Sequence, residues 1–267
     1  MPDLKYTVDW NSIDPEGRRP LPSRENCSFY HCMSFPDGEN IDKAAWDLRG
    51  RFPRYIGGVD LAGKTVLDVG TASGFLAFSA EQAGARHVTA IDASGPDEFE
   101  RVPFADALFN KDRTLWCRQW WSYFQLLQNS FWYGHAKFTS KVDVYYGPLQ
   151  DIWTWKKRFD VIIVGAIIEH LSDPIQVIGN LAGLANEKIV IAFTHVVESE
   201  EAFMRPQHTW DDPNINYVWW ELSMGLYRKV FRNLGFEISI EKASGFCLQL
   251  DPPRELEWPT IIATRSR

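Results

Sequence analysis

An α/β fold built on a mostly parallel, doubly wound sheet is predicted by three features of this 267-residue chain. From Lys64 onward, short apolar runs of strand length alternate with segments of helical spacing. Such alternation calls for a parallel sheet with helices on both faces. A glycine-bearing stretch, "VLDVGTASGF" (Val66 to Phe75), joins the first apolar run to the first helix. The chain closes on two strand-like runs, "FEISIEKA" and "WPTIIATR", with no helix between them. They predict a C-terminal hairpin that places one antiparallel strand at the end of the sheet.

The first sixty residues are expected to form an arm that covers the site, with a short helix starting around Asp42; residues 61–267 form the core. "KTVLDVG", between Gly63 and Gly70, reads as a strand buried on both faces. In "SGFLAFSAEQAGA", Phe75, Phe78 and Ala83 share one side and Gly84 stops the helix. "HVTAID" is the second strand, "VDVYYG" the third, "RFDVIIVGAI" the fourth and "EKIVIAFTH" the fifth. Helices are predicted over Pro174 to Leu184 and over "YVWWELSMGLYRKVFRNLGF", which Gly235 stops.

About 50 residues separate Asp92 from Val142, far more than a crossover needs. A helical insertion over about 95–140 is therefore expected. Within it, Trp116, Trp120, Tyr123, Phe124, Leu127 and Phe131 share one stripe of a helical wheel, read as core-facing. Trp121, Gln125, Gln128 and Trp132 fall on another face, read as a wall of the substrate pocket. The alternative is that this face packs under the arm or against a second copy of the chain.

Composition narrows the function classes. With 45% hydrophobic and 24% charged residues, the chain reads as a soluble globular protein. A net charge of −7, with Lys156, Lys157 and Arg158 the densest basic run, disfavours nucleic acid as a partner. No apolar run reaches the roughly 18–20 residues of a membrane helix, so no membrane partner is expected. Cys27, Cys32, Cys117 and Cys247 form no CxxC pair, and no secretory leader is evident, so a reducing, cytoplasmic compartment is expected. Cys27, His31 and Cys32 lack a second ligand pair, so no metal is expected.

Asp68, Gly70 and Gly74 fall where the first strand meets its helix. Glycine permits close backbone approach to a ligand, the helix start offers free N–H groups, and ligands of such sheets bind at the carboxyl ends of strands. Eighteen residues after Gly74, Asp92 stands at the tip of the second strand, placed to accept from both hydroxyls of a ribose. The spacing is not the GxGxxG of dinucleotide sites. A carboxylate at Asp68 would repel a pyrophosphate but suits a ligand that bears an ammonium, such as the methionine portion of S-adenosylmethionine.

On these residues the chain resembles the class I S-adenosylmethionine-dependent methyltransferases over roughly Lys64 to Arg267, with Ala72 where that family usually has its middle glycine. The resemblance implies a Rossmann-like fold and S-adenosyl-L-methionine as cofactor, contacted by Asp68, Gly70, Thr71, Ser73, Gly74, Asp92 and Ala93. It further implies that Leu149 and Gln150 hold the adenine, although Pro148 stands where an acidic residue is common. Gly165, Ala166 and Ile167 in "VGAIIEHLSDP" would line the methionine part. Upstream, "FYHCMSFPDG…WDLRGR" is similar to the pre-core segment of the wobble-uridine carboxymethyltransferase group and its small-molecule relatives. There the corresponding elements pack over the site.

Methyl transfer is an in-line displacement, so alignment and exclusion of water do most of the work. A base is needed only when the nucleophile arrives protonated. His170 is the leading candidate base, with lining the pocket or capping the next helix as its other readings. Glu169 is placed to orient it or to bind a cationic substrate, and His31 reaches the site from the arm. Candidate substrate residues are Tyr30, Arg54, Trp121, Gln125, His195, Asn216 and Trp220. The expected activity is methyl transfer to an O or N of a small molecule, of the kind used in secondary metabolism. Alternatives are a cyclase or lyase acting on the aminocarboxypropyl arm of the cofactor, an RNA-modifying methyl- or carboxymethyltransferase, and a non-catalytic binding module. A homodimer is compatible with the sequence.

Overall fold

The computed structural model describes residues 21–102, 104, 106–207 and 218–266. Its strands are β1 (Met33–Ser34), β2 (Asn40–Ile41), β3 (Trp46–Asp47), β4 (Thr65–Val69), β5 (His87–Asp92), β6 (Asp143–Tyr146), β7 (Phe159–Gly165), β8 (Ala185–Ala192), β9 (Val196–Val197), β10 (Met204–Pro206), β11 (Trp220–Ser223), β12 (Phe236–Cys247) and β13 (Arg254–Arg265). The α-helices are α1 (Phe52–Tyr55), α2 (Phe75–Gln82), α3 (Leu108–Lys111), α4 (Arg113–Phe138), α5 (Pro174–Leu184) and α6 (Met224–Asn233).

The central sheet has the order β3-β12-β13-β8-β7-β4-β5-β6. Strands β4 to β8 are mutually parallel, as the alternation predicts. Neighbouring residues along one strand serve opposite faces. Val66, Val161 and Val190 join the core shared by α2, α4 and the arm, whereas Leu67, Ile162 and Ile191 join the core beneath α5 and α6. This is why β4, β7 and β8 are near-continuous apolar runs.

The C-terminal hairpin is present, but its antiparallel strand lies inside the sheet. β13 pairs antiparallel with β8 through Ile261–Thr264, and β12 pairs antiparallel with β13 along twelve residues. β12 therefore runs with the parallel strands, outside β13. The edge is taken by the two-residue β3 from the arm, antiparallel to β12. No helix among the described residues is long and apolar enough to cross a membrane.

Two expected helices differ from the structure. No helix begins at Asp42, because the arm folds first into the β1–β2 hairpin. Its turn uses Pro36, Asp37 and the left-handed Gly38, with Asp37 accepting from the Glu39 N–H at 3.1 Å. The helix there is only the four residues of α1. The helix expected from Tyr217 begins instead at Met224. Ser223 caps it by accepting from the Leu226 N–H, and β11, just before, pairs with β9 and β10. Gly235, at φ 80°, stops it as expected.

Helix α4 runs 26 residues and forms the predicted insertion. The Asp112 carboxylate caps its start by accepting from the Leu115 N–H at 2.9 Å. Phe131, Trp132, Tyr133 and Gly134 are all buried, so near its C-terminal end both faces of the wheel are covered. Trp121 and Tyr123 are exposed, the second against its expected place in the core stripe. The arm lies on α4: Ser28 N–H donates to the Leu126 carbonyl, Asn129 to the Asn26 carbonyl, and the Tyr133 hydroxyl to Glu39 at 2.6 Å. Gly134 allows α4 to approach α2, since a Cβ there would stand 2.9 Å from the Phe78 ring.

Phe131, fully buried against Phe78 and Trp132, anchors this contact. Phe131→Ala should cost about 3–5 kcal/mol in denaturant unfolding, the range for emptying an aromatic core site. Trp121→Ala, at a partly exposed position, should cost about 1 kcal/mol or less. Equal losses at both positions would overturn this division of the helix.

Candidate functional site

The site is built on the turn that follows β4. Gly70, Ala72 and Gly74 all have positive φ, at 76°, 49° and 91°. A Cβ on Gly70 would lie 2.4 Å from Ile167 Cδ1, and one on Gly74 2.4 Å from the Phe78 ring. Ala72 carries a Cβ in the left-handed region, which costs roughly 1–2 kcal/mol. The Asp92 carboxylate holds it there, accepting from the Ala72 N–H at 2.6 Å and from the Ala93 N–H at 2.8 Å. Burial pushes the Asp92 carboxyl up to about 6, against the pull of these two donors.

Asp68 is fully buried, and neither of its carboxylate oxygens completes a hydrogen bond. Burial pushes its pKa up to about 7; the nearby Thr71 hydroxyl and Ala77 N–H offset only part of that. The Thr71 hydroxyl also completes no hydrogen bond. Ser73 serves the arm, its Oγ accepting from the Tyr30 N–H at 3.2 Å and the His31 N–H at 3.4 Å. Tyr30 and His31 are thereby laid on the glycine turn.

His31 packs against the Phe75 ring at 5.4 Å, and its Nδ1 has no partner. Burial holds its pKa down to about 3. At neutral pH it carries no added proton and is a poor base, so its expected catalytic role narrows to hydrogen bonding. Burial raises the Tyr30 hydroxyl to about 12; the Trp46 side chain lowers it in part, while Tyr123, Cys247 and Glu169 add to the rise.

The turn after β7 completes the floor. Gly165 accommodates Leu76, whose Cδ1 would lie 2.6 Å from an added Cβ. Ala166 is left-handed at φ 50°, and its N–H donates to the Ala192 carbonyl at 3.0 Å. Ile167 lies against Gly70. Ile168–His170 form a 3-10 turn in which Glu169 is buried and His170 half-buried. Glu169 Oε2 has no hydrogen-bond partner, while its backbone carbonyl accepts from the Trp219 N–H at 2.9 Å.

Leu149 and Gln150 open a 3-10 turn after β6. The Gln150 amide donates to Glu100, which also accepts from the Ser172 N–H. Glu100 thus ties together the turns after β6 and β7. Its position in the insertion gives no spacing signal, so sequence reasoning missed it. A cleft of about 490 Å³ opens beside these residues, lined by Phe99, Arg101, Phe109, Pro148, Gln150 and Trp219 among others.

Several predicted substrate residues are engaged elsewhere. Arg54 is exposed, donates to the Lys242 carbonyl and pairs with Glu257 at 3.3 Å, so it does not face the glycine turn. The Trp220 indole donates to the Ser172 carbonyl at 3.0 Å, a tie between β11 and the turn after β7. Trp121 lies over Gly95, 2.7 Å from where a Cβ would sit. Gln128, on the face expected to wall the substrate pocket, donates to the Ala93 and Ser94 carbonyls. This face of α4 therefore braces the loop after Asp92, with Gln125 half-buried beside it. His195 is half-buried with its ring 6.0 Å from Trp258. Asn216 lies outside the described residues.

A left-handed turn at the carboxyl end of β4, a buried acid without a partner before it and a second acid clamping it define a Rossmann-like α/β protein with a nucleoside-type cofactor site. A family model described as "Methyltransferase domain" matches residues 39–242, and the chain belongs to that family. The match begins after Tyr30 and His31, so most of the arm lies outside it. Ribosomal protein L11 methyltransferase of Alteromonas mediterranea is 32% identical over 108 residues, 34% of this chain and 37% of that protein. A probable histone-arginine methyltransferase 1.3 of Arabidopsis thaliana is 52% identical over 54 residues, 20% of this chain and 10% of that protein. The chain thus spans well under half the length of either curated relative. Magnesium protoporphyrin IX methyltransferase of Synechocystis PCC 6803, solved with SAH bound, aligns with a TM-score of 0.45 at 17% identity over 78% of this chain and 76% of that one.

The raised Asp68 pKa sets a sign for stability. Folding favours the neutral carboxyl, so its contribution is complete below the unfolded value near 4 and is lost as pH rises towards about 7. The loss is on the order of 4 kcal/mol at most. In urea unfolding of the ligand-free protein, Asp68→Asn should remove this decline. The variant should gain on wild type between pH 5 and pH 8, and a constant difference across that range would overturn the assignment.

Proposed function

We propose that the chain is an S-adenosylmethionine-dependent methyltransferase that transfers a methyl group to an oxygen or nitrogen of a small molecule. The observation that carries the cofactor reading is the Asp68 carboxylate, buried without a partner beside the left-handed turn. A buried charge without a partner is costly, and a ligand's cation relieves that cost. An ammonium fits this position and a pyrophosphate does not. Asp68 would hold the ammonium. Asp92, each of whose oxygens takes one backbone N–H, keeps lone pairs for the two ribose hydroxyls. Gly70, Thr71, Ser73, Gly74 and Ala93 form the wall along it, Leu149 and Gln150 take the adenine side, and Gly165, Ala166 and Ile167 lie along the methionine part.

When bound, the cofactor supplies a methyl group on a sulfonium. The chain's own part is to align the acceptor and exclude water. Tyr30 and His31, pinned by Ser73, close one side. His170, one residue beyond the buried Glu169, takes the proton from an acceptor that arrives protonated. His195, Gln125 and the segment containing Asn216 are the remaining candidates for acceptor contacts. The net charge of −7 supports a small molecule over a nucleic acid, and four free thiols are in keeping with a reducing, cytoplasmic compartment.

Calorimetric titration with S-adenosylhomocysteine tests the cofactor reading. Affinity should rise as pH passes through about 7, because Asp68 must lose its proton to pair with the ammonium. A gain of about tenfold is expected between pH 6 and pH 8, and Asp68→Asn should bind weakly at both. Absence of binding at pH 8 would sink the reading. Mass spectrometry should find S-adenosylhomocysteine as the product; methylthioadenosine would instead favour a cyclase or lyase.

With the best acceptor from a panel of phenols and amines, His170→Asn should lose about 100-fold in turnover. Its affinity for S-adenosylhomocysteine should change little. Unaltered turnover would reduce His170 to a pocket-lining residue.

A further inference from the structure

Above the carboxyl ends of β7 and β8 lie three buried polar side chains, each with an atom that completes no hydrogen bond. They are Glu169 at Oε2, Thr194 at Oγ1 and Tyr227 at Oη. Their residues are 6%, 0% and 1% exposed. They come from separate elements: the 3-10 turn after β7, the segment following β8, and the first turns of α6. The Tyr227 and Thr194 hydroxyls sit side by side, with the Glu169 carboxylate in electrostatic reach. The same carboxylate acts on Tyr30 and Tyr55 from the arm side. Glu169 therefore stands where the arm, the sheet edge and α6 meet, beyond the turn of Gly165–Ile167.

A buried carboxylate oxygen without a partner is a costly arrangement unless something supplies its donor. An ionised carboxylate only accepts hydrogen bonds, and hydroxyls turn to suit a neighbour. One carboxylate beside two hydroxyls therefore complements a group that carries several N–H bonds and positive charge. An anionic group would be repelled. We propose that Glu169, Thr194 and Tyr227 form a buried receptor for a nitrogen cation, so that the methyl acceptor carries an amine, amidine or guanidine. This rests on the proposed methyl transfer for the receptor's role, though not for its existence.

The test uses probes of one size on the protein saturated with S-adenosylhomocysteine. Benzylamine and benzamidine should bind by calorimetry, and benzoate and benzyl alcohol should bind at least tenfold more weakly. Glu169→Gln should weaken the two cations at least tenfold, with a melting temperature equal to or above wild type, because a buried carboxylate with an unpartnered oxygen has gone. The double variant Thr194→Val, Tyr227→Phe should weaken them about threefold or more, and it decides the matter if Glu169→Gln does not fold. Preference for benzoate, cation binding that survives Glu169→Gln, or no binding of either cation would overturn the receptor. If S-adenosylhomocysteine itself fails to bind, the cofactor reading fails. The cations are then titrated into the ligand-free protein, where the same variants decide the receptor by itself.

Discussion

The site depends on the pair of hydrogen bonds that the Asp92 carboxylate accepts from the Ala72 and Ala93 N–H groups. The bond from Ala72 joins the tips of two adjacent parallel strands and holds this alanine in a conformation that glycine adopts more cheaply, while the bond from Ala93 fixes the carboxylate itself. With the turn fixed, Ser73 is aimed at the arm and accepts from two consecutive N–H groups. Gly74 then starts α2 at a point where Phe78 and Phe131 crowd the backbone, bringing the insertion helix onto the same turn. Arm, insertion and sheet are thus organised around a five-residue reversal.

Around this turn the protein leaves polar atoms incomplete. Asp68, Thr71, Glu169, Thr194 and Tyr227 are all buried, and each has at least one polar atom without a partner. In a fold whose net stability is on the order of 5–15 kcal/mol, such groups are a substantial cost. That cost is recovered when a ligand binds only the folded state. The two acids divide the space. Asp68 lies beside the glycine turn, and Glu169 lies in the 3-10 turn after β7.

The parts legible in the sequence were those whose physics is local. Strands β4, β5, β7 and β8 announced themselves as apolar runs because both of their faces are covered. The insertion showed in the spacing between Asp92 and Val142, and α6 ended at Gly235 as the chain implied. What misled was local resemblance without knowledge of partners. "YVWWELS" has helical spacing, yet Trp220–Ser223 pairs as a strand because β9 and β10 offer it hydrogen bonds. Arg54 reads along the chain as a candidate substrate residue, and its contacts with the Lys242 carbonyl and Glu257 come from 188 and 203 residues away.

The sequence by itself determined the parallel core, the glycine turn and the two acids at the strand tips, because periodicity and short-range backbone demands are written residue by residue. Only the tertiary structure decided that β13 lies inside the sheet, that α4 braces the loop after Asp92, and that Glu169, Thr194 and Tyr227 come together. Those outcomes depend on which distant segments meet. Whether a buried polar atom finds a partner is settled by packing in three dimensions and leaves no periodic trace along the chain.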